Sequence, residues 1–209
     1  MKTNKLMSIA AMLIMAIPFH AGAQVSIGTR QGITFSTLSQ IGNLYDNNQI
    51  AVSYTGGIFA NIPVKGPLAF QPELNYIRKG RCSETELSGT SQETDCNYNY
   101  LQVPVMMRYT ADLTGKSSTR IFFNAGPYAA FLFKTESKLK SGEELPANTL
   151  TDNHKDPDLG FILGGGITVP LSKFRIQLDL RYDMGLTKLN NQPDDFRTKS
   201  LSLAAGILF

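Results

Sequence analysis

Polar and apolar residues alternate along eight segments of this chain, the period-two signature of strands with one apolar face. In the first, 25–36, Val25, Ile27, Ile33 and Phe35 share one side, with Arg30, Gly32 and Thr34 on the other. The second, about 52–62, groups Val52, Tyr54, Ile58, Ala60 and Ile62. The third, 68–79, sets Leu68, Phe70, Leu74 and Tyr76 against Gln71, Glu73 and Asn75. In the fourth, 98–109, Leu101, Val103, Val105, Met107 and Tyr109 alternate with Tyr100, Gln102, Pro104, Met106 and Arg108. The fifth, 120–133, is apolar on both faces, with Asn124, Gly126 and Tyr128 together on one of them. The sixth, 158–169, opposes Leu159, Phe161, Leu163, Ile167 and Val169 to Asp158, Gly160, Gly164 and Gly166. The seventh runs from Phe174 to Leu186 and alternates Ile176, Leu178, Leu180 and Tyr182 with Arg175, Gln177, Asp179, Arg181 and Asp183. The eighth, 197–209, ends the chain on Phe209, in line with Leu201, Leu203, Ala205 and Ile207.

The connections alternate too. Those at 63–67 and 170–173 are short and the one at 111–119 is moderate, whereas 37–51, 80–97, 134–156 and 187–197 are longer and polar. Short turns on one side and long loops on the other mark an outer-membrane barrel, and an even strand number puts both termini on the short-turn, periplasmic side. A soluble eight-stranded barrel has a charged outside and an apolar lumen. Here one face of each strong strand is nearly free of charge over about 9–11 residues, enough to cross a bilayer when tilted. Tyr54, Tyr76, Tyr109 and Tyr182 lie near strand ends, where an interfacial aromatic girdle belongs. The expected fold is therefore all-β: an eight-stranded antiparallel up-and-down transmembrane β-barrel over residues 24–209.

The N-terminus fits this destination. Lys2 and Lys5 precede an apolar run, 6–19, and Ala21-Gly22-Ala23 offers a cleavage site before Gln24. The run is shorter than the ~20 residues a spanning helix requires, so 1–23 reads as a secretory signal peptide. The formal net charge is +3, and the signal carries two of those charges away. What remains lacks the clustered basic surface of a nucleic-acid binder. Cys82 and Cys96 are the only cysteines. After export to an oxidising compartment, a disulfide between them closes a loop of about 15 residues, worth roughly 3 kcal/mol. A metal site is the alternative, but no His or third Cys lies nearby.

Candidate chemistry is sparse. The polar faces bring Arg30, Glu73, Gln102, Arg108, Asp179 and Arg181 toward the lumen of a barrel just wide enough to be filled by side chains. Opposite charges there can pair, whereas unpaired ones are costly. A filled ion-pair network is the expectation; a catalytic constellation is the alternative. Hydrolysis or acyl transfer needs a base beside a nucleophile, and His154, in a polar loop beside Asp152 and Asp156, is the only histidine after the signal. It reads as a solvated loop residue, and the chain as a non-enzyme with no catalytic, cofactor-binding or metal-binding residues. Glu143-Glu144, Asp152/Asp156/Asp158 and Asp194-Asp195 lack calcium-loop spacing. The run Gly164-Gly-Gly166 sits within a strand, without the helix and Lys of a phosphate loop, and reads as a place of close packing or bending.

The ordered stretches Gly28-Thr-Arg-Gln-Gly-Ile-Thr-Phe-Ser36, Phe70-Gln-Pro-Glu-Leu-Asn-Tyr76, Asn99-Tyr-Leu-Gln-Val-Pro104, Ala125-Gly-Pro-Tyr128, Asp158-Leu-Gly-Phe-Ile-Leu-Gly-Gly-Gly166 and Leu178-Asp-Leu-Arg-Tyr-Asp-Met-Gly-Leu186 resemble the porin-like outer-membrane β-barrel family abundant in Bacteroidetes. These are small barrels of OmpA/OmpX-like architecture. Gln102 stands where the resemblance leads one to expect an acid. The resemblance implies location in the outer membrane of a Gram-negative bacterium, no established reaction, and recognition of the terminal Phe209 by the outer-membrane assembly machinery. The expected partners are that machinery, outer-membrane lipids and lipopolysaccharide, with the barrel itself a monomer and no nucleic acid involved. A structural or surface-interaction role is the first functional reading; a narrow porin-like channel is the alternative, and a lipid-modifying enzyme a third.

Overall fold

The computed structural model describes residues 25–40, 51–87, 90–113, 118–139, 158–187 and 196–209, with side chains over 25–36, 51–78, 99–113, 118–133, 158–187 and 198–209. Residues 1–23, expected from sequence to be a signal peptide, and His154, Glu143-Glu144, Asp152, Asp156 and Asp194-Asp195 lie outside the described residues. Eight strands follow in order: β1 (Ser26–Gln40), β2 (Ala51–Lys65), β3 (Leu68–Leu87), β4 (Thr90–Asp112), β5 (Arg120–Leu139), β6 (Asp158–Pro170), β7 (Arg175–Gly185) and β8 (Phe196–Leu208). Each pairs antiparallel with its sequence neighbours, and β8 closes on β1 from Gly28↔Leu208 to Gln40↔Phe196. The Phe209 N–H donates to the Ile27 carbonyl at 2.9 Å, so the ladder continues through the last residue.

Alternation decides which side chain meets which solvent. Ile27, Ile33, Ile58, Leu74, Leu101, Phe123, Leu163, Leu180 and Leu203 all point outward. Exposure of so many large apolar side chains is untenable in water and expected in hydrocarbon, where a closed barrel also leaves no backbone edge unsatisfied. Tyr54, Tyr76 and Phe133 cluster toward the extracellular end, with ring centroids 6.4 and 5.9 Å apart. Phe174 and Phe209 meet at 6.3 Å at the periplasmic rim. The periplasmic turns are tight. Gly66 takes φ 56°, the left-handed region that glycine enters without steric cost. The Leu171 N–H closes its own turn onto the Phe174 carbonyl at 2.8 Å.

Three central strands carry a proline within the wall. The β2–β3 ladder lapses between Phe59↔Glu73 and Ile62↔Phe70, the β3–β4 ladder between Pro72↔Val105 and Asn75↔Gln102, and the β4–β5 ladder between Pro104↔Tyr128 and Met107↔Ala125. One proline falls in each gap: Pro72, Pro104 and Pro127. Proline has no N–H to give to a ladder, and an edgeless barrel offers no edge strand to receive it. The other five ladders carry no such gap.

The strands are longer than alternation indicates. The segment 80–97, read from sequence as a loop, is a two-stranded ribbon paired from Gly80↔Asn97 to Leu87↔Thr90. Likewise β5 extends to Leu139 into the expected 134–156 loop, β1 reaches Gln40, and β8 begins at Phe196. Alternation reports a strand with one apolar face. A ribbon standing in water has no face to bury, so its backbone pairing leaves no such pattern.

Candidate functional site

Inward positions two residues apart stack polar groups on three walls: Gln71, Glu73 and Asn75 from β3; Arg108 from β4; Gln177, Asp179, Arg181 and Asp183 from β7. Arg30 of β1 and Thr168 of β6 complete the ring. The glycine run makes room for the longest of them. A Cβ on Gly164 lies 2.9 Å from the Arg181 Cγ, and one on Gly166 lies 2.7 Å from the Phe122 ring. The close packing read from Gly164-Gly-Gly166 thus has named beneficiaries.

The six expected lumen residues are all buried, none more than 4% exposed. Glu73 is the hub. Arg181 grips it with two bonds, Nη1 to Oε2 at 2.6 Å and Nη2 to Oε1 at 3.1 Å. Gln71 Nε2 donates to Oε1 at 2.6 Å and Asn75 Nδ2 to Oε2 at 2.9 Å. Four donors fill the roughly four acceptor sites of a carboxylate. Asp179 accepts from Arg30 at 3.4 Å, Arg181 at 3.3 Å and Gln177 at 3.2 Å. Arg108 differs, since its hydrogen-bond partners among the described residues are neutral. Its Nη1 donates to the Oε1 atoms of Gln71 and Gln177 at 3.1 and 3.2 Å, and its Nη2 to Thr168 at 3.0 Å. Its guanidinium carbon stands 3.7 Å from the Phe122 ring centroid, a cation–π stack. Gln71 and Gln177 therefore take a proton donor from a cation on one side and give one to a carboxylate on the other. Gln102 donates to Asp183 Oδ2 at 3.1 Å, so the amide found in place of an acid meets its carboxylate across the lumen.

An apolar cluster shares the interior between β3 and β6 with these polar groups. Ile77, Tyr100, Met106, Tyr128, Ala130 and Ile162 pack as one cluster, with Leu132 against it. At the mouth, Asp158 accepts from Thr187 at 2.8 Å and Thr198 at 3.2 Å. Sequence reasoning missed the roles of Phe122, Thr168 and Ile162. Phe122 and Ile162 sit between apolar neighbours, so alternation gives them no inward label, whereas Thr168, polar between Ile167 and Val169, does carry one. The Gln-Pro-Glu-Leu-Asn spacing of 71–75 did carry a signal for the amides around Glu73.

Above the mouth, β3, β4 and β5 continue farthest among the described residues. The β5–β6 ladder ends at Ala130↔Asp158, whereas β4–β5 continues to Thr94↔Leu139 and β3–β4 to Leu87↔Thr90. Cys82 and Cys96 stand in this ribbon, opposite Asp95 and Arg81 respectively, one register step out of opposition. Their side chains lie outside the described residues, and the disulfide rests on the sequence argument.

A closed eight-stranded barrel with a lipid-facing apolar wall and a charged core narrows the families it can join. A family profile described as outer membrane protein beta-barrel domain matches residues 19–191. The chain belongs to that family. As an outer-membrane barrel it sits among the lipids of a Gram-negative outer membrane, and it has the small OmpA/OmpX-like architecture. Among solved structures it is similar to Neisserial surface protein A, at 13% identity and a TM-score of 0.52, covering 90% of this chain and 99% of that one. The outer membrane protein W of E. coli also matches, at 13% identity and a TM-score of 0.45, covering 90% of this chain and 100% of that one. At such identities the likeness is one of fold. No curated protein sequence matches the chain.

Proposed function

We propose that this outer-membrane barrel serves a structural and surface-interaction role, with a lumen filled for stability and an extracellular sheet as its working surface. The observation that carries this reading is the β3–β4–β5 sheet, which continues above the point where the β5–β6 ladder ends. From Lys79 upward β3 has a strand on one side only, among the described residues, and β5 from Lys134 does too. Unpaired strand edges are templates for another backbone. The sheet emerges where lipopolysaccharide headgroups lie, and these are its nearest candidate partners. The reading assigns no reaction to the protein. Export follows from an N-terminal signal ending at Ala23.

Conductance tests the filled lumen. The purified protein in planar bilayers is expected to pass no stable current, because Arg181, Glu73, Arg108 and Asp179 occupy the cross-section. A large, steady single-channel conductance would overturn this and favour the narrow channel.

Phe209 is read as the residue recognised during assembly. Its side chain is 67% exposed at the periplasmic rim, so it adds little to the folded wall. Deleting it is expected to lower outer-membrane levels several-fold while the inserted fraction unfolds at nearly the wild-type temperature. Unchanged levels by membrane fractionation would remove this role.

A further inference from the structure

We propose that the barrel pairs with a second copy of itself through the lipid-facing strip of β1 that carries Thr29 and Gln31. Both side chains are exposed on the outer wall. On the same face of β1 they have Val25 and Ile27 below and Ile33 and Phe35 above, all exposed apolar residues. Gln31 therefore stands well inside the hydrocarbon belt, away from either interface. Elsewhere between the girdles, the described outward positions are aliphatic, aromatic, methionine, proline or glycine. Gln31 has no hydrogen-bond partner among the described residues, and a carboxamide left unpaired in hydrocarbon is costly. Acyl chains offer it nothing to bond.

The neighbouring surface is shaped for close approach. Gln31 lies between Gly56 of β2 and Ala205 of β8 in the ladders, so its Ala205 flank is low while its Gly56 flank is roofed by an aromatic ring. The Tyr54 ring lies across Gly56, its hydroxyl 2.7 Å from where a side chain there begins, bringing another polar group to the patch. Small residues around a hydrogen-bonding side chain are how membrane-embedded surfaces associate.

The occupant follows from symmetry. Every copy of the barrel enters the membrane with its termini on the periplasmic side, so a two-fold axis along the membrane normal brings each group opposite itself at equal depth. A carboxamide is both donor and acceptor and so complements its own copy. Two Gln31 side chains can exchange two hydrogen bonds, with Thr29 and Tyr54 at the margins. A different partner would need a polar group placed at the same depth. This replaces the monomer expected from sequence.

Sedimentation equilibrium of the full mature chain in density-matched micelles tests the proposal, with heat-modifiable gel mobility reporting folding. Wild type is expected to show a monomer–dimer equilibrium. Gln31→Leu weakens it about tenfold, and Gln31→Met, a second apolar replacement of similar reach, does the same. Phe123→Leu, on the wall across the barrel, leaves it unchanged. Wild type that stays monomeric at every concentration overturns the proposal, as does a folded Gln31→Leu that dimerises as tightly as wild type. In membranes of cells lacking both native cysteines, Gln31→Cys is expected to cross-link to itself. Cross-linking to a different polypeptide instead would assign the strip to that partner and overturn the self-pairing.

Discussion

Glu73 and Met106 lie inside the same barrel on neighbouring strands, 4% and 0% exposed, and are held in unlike ways. Glu73 is fixed by directional bonds from Arg181, Gln71 and Asn75. Met106 is fixed by contact alone, with Ile77, Tyr100, Tyr128, Ala130 and Ile162. The charged region tolerates little change at its bridging members, since Arg181, Arg108 and Gln102 are each answered by specific partners on other strands. The apolar region behaves like an ordinary core, where volume matters more than direction. Two solutions share one lumen because the wall chemistry is fixed from outside: lipid takes the apolar face, and the inward positions are free to be either kind.

The sharpest way to break the contrast is at the hub. Glu73→Ala removes the two-bond carboxylate partner of the buried Arg181, leaving Asp179 as its salt bridge, and is expected to destabilise by about 3–5 kcal/mol. Met106→Ala removes packing without leaving a charge and is expected to cost less, about 2–3 kcal/mol. The chain holds no Trp, so urea unfolding in lipid vesicles is best followed by gel mobility of the folded band. If Met106→Ala proves the more damaging, the network is a passenger in a barrel stabilised by its apolar cluster.

The strands and their outward faces were legible because lipid imposes one sign on every second residue. Most of the charged network was legible for the same reason: Glu73, Arg108, Asp179 and Arg181 each interrupt an otherwise apolar rhythm, whereas Arg30 stands between the polar Thr29 and Gln31. The apolar cluster was not. Ile162 lies between Phe161 and Leu163, and Phe122 between Ile121 and Phe123, so nothing in the alternation separates inside from outside. The extracellular ribbon was hidden for the opposite reason, being polar on both faces. Gln31 was visible as a residue of the first strand, but its meaning depended on the register that sets it between Gly56 and Ala205.

The three prolines carry a consequence for how the barrel bears load. A closed wall resists deformation through its ladders of backbone hydrogen bonds, and here the missing bonds fall in consecutive ladders from β2 to β5. The remaining arc, from β5 through β8 and β1 to β2, is continuous. Lateral pressure from the bilayer therefore meets a stiff arc and a compliant one. The barrel is expected to give more readily on the proline-bearing side, and β3, β4 and β5 there are the strands that rise out of the membrane as the extracellular sheet.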